Sequence, residues 1–221
     1  MSRKCANITY GKLIALPVVL LLMHGATYAA DLIVSNTPFT PGGVVGMAPP
    51  HFAGGPELKF ESGSLNSVSY RFYYSDGSGT FSGVEGGGSL QDANSYSDHW
   101  HISCNKDIMT DKKECTVGKN ELWISVGVGR PPIIIVGGEH FPNSVSTMRL
   151  DNNPPISSGP RGNGVFPSSG NAALLNKIKL ANVISTRYMK WPNNYWIDDK
   201  WNLTGFKEAI QYASWAVTKI Q

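Results

Sequence analysis

Asp98-His99-Trp100-His101 is the stretch of this chain whose residue types come nearest to chemistry. In an extended strand residues two apart share a face, so His99 and His101 would present paired imidazoles, a spacing that can chelate zinc or copper. His140, in Glu139-His140-Phe141, could supply a third nitrogen, and Asp98 or Glu139 a carboxylate. The alternative is a polar strand face with no metal, because spacing alone does not bring three donors to one point. Hydrolysis would need a nucleophile beside a base, or two convergent carboxylates. No Gly-x-Ser-x-Gly elbow occurs, and Asp107, Asp111, Glu114, Asp198 and Asp199 stand in turn-like segments where solvation accounts for them. Gly159, Gly162 and Gly164 neither follow a strand nor open a helix at the phosphate-loop spacing. No catalytic residue and no cofactor are expected. A metal-binding or hydrolytic periplasmic protein using His99, His101 and His140 is the alternative.

A second constellation is aromatic. Tyr188, Trp191, Tyr195, Trp196 and Trp201 lie within one short segment. Trp and Tyr supply rigid contact area with a polar edge, which suits binding of proteins or sugars. Strand parity sets a competing expectation: Tyr195 and Ile197 face one way, Trp196 and Asp198 the other, so about half of the cluster belongs to the core. Trp191, Tyr195, Trp196 and Trp201 are the candidate binding surface, with a protein or glycan as partner.

The elements that would position these residues start from the same histidine strand. Trp100, Ile102 and Cys104 share the face opposite His99, His101 and Ser103, and Cys115 and Val117 repeat that parity after a polar loop, Asn105 to Glu114. The two cysteines can then meet across a hairpin, stabilising it by about 2–3 kcal/mol in the chain-entropy model. The competing use, two thiolates on a metal, would need two further ligands that the sequence does not place. The inward residues Trp100, Ile102, Cys104, Cys115 and Val117 are expected at the centre of the core, and His99 and His101 outside it.

The first residues set the compartment. Arg3, Lys4 and Lys12 precede an apolar run, Leu13 to Met23, and Thr27-Tyr28-Ala29 has the small-x-small form of a signal-peptidase site. Residues 1–29 are therefore read as a signal peptide, and the mature chain as periplasmic or secreted, with no membrane span left after cleavage. Cleavage removes three of the nineteen basic residues and none of the sixteen acidic ones, leaving sixteen of each. A neutral surface gives no electrostatic ground for a nucleic-acid partner. It also leaves Cys104 and Cys115 as the cysteine pair in an oxidising setting.

Along the mature chain, residues 30–90 are rich in Gly and Pro and read as an irregular arm, with a short strand at Leu32 to Val34 and one hairpin about Asp76-Gly77. Alternation or β-branching marks strands at Leu122 to Val128, Ile133 to Val136, Ser144 to Leu150, Val183 to Lys190 and Tyr195 to Trp201. The spacing of Ala172, Leu175 and Ile178 predicts a short helix near 171–180. That of Phe206, Ala209, Ile210, Ala213 and Val217 predicts a C-terminal helix near 204–220, capped by Thr204 or Asn202. The expected fold is mainly β, an antiparallel β-sandwich or flattened barrel with those two helices. A disulfide-stapled β domain would span residues 91–221 and meet the arm near residue 90.

Several of these pieces occur in an order that resembles the bacterial invasion-associated locus B family. They are the Trp100-x-x-x-Cys104 strand, Cys115 after a charged loop, Arg149-Leu150-Asp151, the short Ala/Leu helix, and Leu203-Thr204-Gly205-Phe206-Lys207-Glu208-Ala209. The likeness covers about residues 97–221. It implies an exported β-sandwich of Gram-negative bacteria with no established catalytic activity, associated in some relatives with host-cell entry. This chain departs from the pattern in lacking a cysteine pair before the C-terminal helix.

Overall fold

A computed structural model describes residues 31–50, 52–84, 90, 98–159 and 163–221. The expected signal peptide lies outside the described residues. Eight strands follow one another as an antiparallel meander: β1 Val44–Ala48, β2 Leu58–Leu65, β3 Val68–Tyr73, β4 Gly79–Ser82, β5 His99–Lys106, β6 Lys113–Lys119, β7 Leu122–Gly127 and β8 Ile133–Val136. A second antiparallel sheet has the order β10-β9-β11-β12, from β9 Thr147–Leu150, β10 Ile156–Ser157, β11 Val183–Lys190 and β12 Tyr195–Asn202. Two helices complete the chain, α1 Asn171–Leu180 and α2 Phe206–Ala216. The mainly β class and both helices agree with the sequence expectation.

The inward parity of the cysteine hairpin holds. Trp100, Ile102, Cys115 and Val117 are buried, with Cys104 half-buried at the margin of the same cluster. They pack with Leu122, Ile124 and the apolar stripe of α2, whose Phe206 ring lies 4.9 Å from Trp100. Trp100 also donates its indole N–H to the Thr204 carbonyl at 2.8 Å, so the buried ring has no unsatisfied polar atom. Cys104 and Cys115 stand directly opposite in the β5–β6 register and are joined as a disulfide.

The stretch expected as an irregular arm with one hairpin carries four strands, β1 to β4. Residues 44–82 form half of the large sheet, and β4 pairs with β5 through Gly79↔Ile102, Thr80↔His101, Phe81↔Trp100 and Ser82↔His99. Val68, Tyr70, Phe72 and Phe81 share the core with β5–β8 and α2. The β4–β5 pairing thus joins strands before and after the boundary expected near residue 90 in one sheet. Leu32 to Val34 takes part as an isolated bridge, Ile33↔Ile220, that ties the start of the described chain to its end.

What holds this half together is a buried carboxylate. Glu61 of β2 is 0% exposed. Its oxygens accept the Phe39 amide at 2.8 and 2.9 Å, the Thr40 amide at 3.4 Å, and the Tyr70 and Tyr74 hydroxyls at 2.8 Å each. Thr40 donates its hydroxyl to Tyr70 at 2.7 Å, which completes a relay of donors ending on the carboxylate. Burial, and then the adjacent negative charge, push both tyrosine hydroxyls well above their ordinary range, so they remain donors. Phe39 is thereby pinned edge-on to Tyr70, Phe72 and Tyr212.

The start of α2 also differs from expectation. Its N-cap is Gly205, at φ 78°, without a side-chain cap, and Asn202 instead accepts the Thr204 amide at 3.3 Å. A side chain at Gly205 would put its Cβ 2.0 Å from the Ser82 carbonyl oxygen, so close approach to β4 and the left-handed backbone together select glycine. The helix ends at Ala216 rather than 220, and Thr218 to Ile220 close back onto Trp215 and Ala216 as turns. Among the described residues no helix is long and apolar enough to cross a membrane.

Candidate functional site

The three histidines do not converge. His99 and His101 lie on the face of β5 opposite Trp100, as parity requires, yet His99 is only 4% exposed and His101 is half-buried, so neither is an open surface ligand. Burial first, and repulsion from His99 second, lower the basicity of His101 and favour its neutral ring. His140 sits where the two sheets meet, bridged to Lys190. Its Nε2 lies 2.6 Å from the Val136 carbonyl and 3.0 Å from Ser146 Oγ. A carbonyl only accepts, so this nitrogen carries a proton and serves as a structural donor. Among the described residues no group of three or more His, Cys, Asp or Glu side chains is placed to hold a metal ion.

The carboxylates singled out in the sequence are engaged locally. Asp107 accepts the Met109 and Thr110 amides at 2.8 Å, Asp111 pairs with Lys106 at 3.1 Å, and Glu114 pairs with Arg130. Asp198 takes Arg187 in a two-pronged pair, with Nη2 to Oδ2 at 2.8 Å. Asp199 accepts the amide of Lys200 at 2.8 Å. These contacts cap turns and link exposed strand neighbours.

The aromatic segment divides by strand face. Register places Trp201 beside Ile184 and Ile197 beside Tyr188 on the side that meets the core, where Tyr188 is buried and Trp201 half-buried against the cluster. Trp201 therefore leaves the candidate binding set. Trp191 is 49% exposed, Tyr195 42% and Trp196 52%, all at the turn end of the β11–β12 hairpin. The turn is braced from the side by Glu139 to Phe141. The Trp191 amide donates to the Glu139 carbonyl at 3.0 Å, that of Phe141 to Met189 at 2.8 Å, and the Phe141 and Trp191 rings lie 5.5 Å apart. Large apolar side chains are thus held out to solvent on a hydrogen-bonded element, a geometry that lowers the entropic cost of contact.

A third feature requires the register to be seen. Across the outer face of the large sheet Arg71 stands opposite Thr80, Thr80 opposite His101, His101 opposite Gly118, and Gly118 opposite Trp123. This row lines a cavity of about 450 Å³ together with the hydroxyl residues Ser78, Ser103 and Thr116. In the sequence the row is scattered over more than fifty residues, and none of its strands advertises it alone.

Comparison with protein-family models, with curated proteins and with solved structures finds no match.

Proposed function

We propose that the chain is an exported bacterial envelope or secreted protein that works by binding a protein partner, with no catalytic role. The observation that carries this reading is the exposure of Trp191, Tyr195 and Trp196 at a braced hairpin end, with Tyr195 and Trp196 on opposite strand faces. Aromatic side chains of this kind are the residues most often found to dominate protein contacts. Export is supported by the basic and apolar leader before Ala29, and the cystine suits an oxidising compartment. The resemblance to invasion-associated locus B proteins adds to it. Two pieces of that resemblance, the Trp100 strand and the Leu203 to Ala209 segment, meet at the Trp100–Thr204 hydrogen bond. A host-surface protein is accordingly among the partners to test.

Fractionation of producing cells, with N-terminal sequencing of the product, tests export: a chain beginning at Ala30 or Asp31 outside the cytoplasm is expected, and an intact cytoplasmic chain contradicts it. A photo-crosslinking residue at position 196 tests the contact. A discrete protein adduct is expected there, whereas a glycan adduct, or none, contradicts the proposed partner class.

A further inference from the structure

Arg71 lines the outer-face cavity as a cation that no carboxylate among the described residues neutralises. Its guanidinium lies 4.1 Å from the Phe60 ring centre and 5.6 Å from that of Tyr73, which fixes its plane. Among the described residues it makes no ion pair, no carboxylate lines the cavity, and its Nε is buried without a hydrogen-bond partner. Leaving a guanidinium donor desolvated and unpaired is costly, and a carboxylate is the acceptor whose geometry fits its fork. The neutral ring of His101 does not supply that charge.

The rest of the cavity wall is equally particular. Trp123 lies across β6 so closely that a Cβ on Gly118 would fall 2.3 Å from the indole, so one face of the ring is set against backbone. Trp123 is also among the residues that line the cavity. A flat aromatic ring offers a surface to the C–H face of a pyranose, and the same cavity is lined by the hydroxyl residues Thr80 and Ser103, beside Ser78 and Thr116, whose hydroxyls are engaged with Asp76 at 2.7 Å and Ser125 at 2.6 Å. An aromatic carboxylate would satisfy Arg71 and Trp123 but leave Thr80 and Ser103 facing an apolar ligand.

We propose that this cavity binds a carboxylate-bearing pyranose of the uronic-acid class, with the carboxylate on Arg71 and the sugar ring against Trp123. The site does not depend on the aromatic hairpin. Calorimetric titration of the full chain, purified from the exporting cell, with glucuronate, glucose and benzoate tests it. Saturable glucuronate binding is expected, at least about tenfold tighter than glucose, because the charge-assisted pair to Arg71 is missing for the neutral sugar. Arg71→Lys, which keeps the charge but not the fork, is expected to weaken glucuronate by about tenfold and leave glucose unchanged. Glucose binding as tightly as glucuronate, benzoate binding as tightly as glucuronate, or no saturable glucuronate binding would each overturn the proposal. Should Arg71→Lys fail to fold, the three-ligand series on the unaltered chain decides alone.

Discussion

The eight-stranded sheet buries its most costly chemistry, whereas the four-stranded sheet carries its largest apolar side chains into solvent at one end. In the former, Glu61 is enclosed by four donors, Cys104 is bonded to Cys115, and Trp100 is tied to the approach of α2. In the latter, β12 is an edge strand whose inward side ends with Trp201 and whose turn end exposes Trp191, Tyr195 and Trp196. The difference separates two uses of aromatic residues within one chain. Tyr70, Tyr74 and Trp100 hold the fold because their polar atoms have partners. The hairpin aromatics Trp191, Tyr195 and Trp196 instead stay 42–52% exposed.

This contrast can be broken most severely at Glu61. Glu61→Ala leaves the Tyr70 and Tyr74 hydroxyls and the Phe39 and Thr40 amides without their acceptor, for an expected loss of roughly 3–5 kcal/mol in urea unfolding. A loss below about 1 kcal/mol would mean that the cage does not hold the β2–β3 half. Replacing Cys104 and Cys115 together by Ala is expected to cost about 2–3 kcal/mol, since the bond closes a loop with a sequence separation of 11. Mass spectrometry before and after reduction verifies the bond itself.

A smaller effect concerns pH. His101 is less basic in the folded chain than in the unfolded one, so unfolding takes up a proton between the two values and stability rises with pH across that window. The contribution is complete above the unfolded value and is lost as pH falls toward the folded one. Thermal unfolding should therefore occur at lower temperature at pH 5 than at pH 7, and His101→Gln should reduce the difference. An unchanged pH dependence in that variant would assign it to other groups.

Strands β5 to β8 and β11 were legible because apolar residues alternate or run together there, and the Cys104–Cys115 pairing followed from strand parity. Strand β2 was hidden because its inward positions are Glu61 and Gly63, opposite Phe72 and Tyr70, so the apolar period is absent where the strand is most buried. Glu61 finds its partners through donors up to 22 residues away, two of them backbone amides that no side-chain pattern announces. The outer row from Arg71 to Trp123 is invisible for a related reason: only the pairing of five strands brings it together. In the aromatic segment parity correctly splits neighbours, but which side meets the core depends on Ile184 across the sheet, and that placed Trp201 inward.

The smallest expected stability effect belongs to the residues of largest proposed functional effect. Trp191→Ala with Trp196→Ala should shift unfolding free energy by no more than about 0.5 kcal/mol, as for exposed positions, whereas Trp201→Ala should cost more. The most direct measurement pairs that unfolding assay with photo-crosslinking from position 195 in the double variant and in the otherwise unaltered chain. Equal stability with loss of the protein adduct in the double variant is the result predicted. Equal stability with the adduct retained would contradict the aromatic hairpin as the contact surface, and a stability loss as large as that of Trp201→Ala would return these residues to the core.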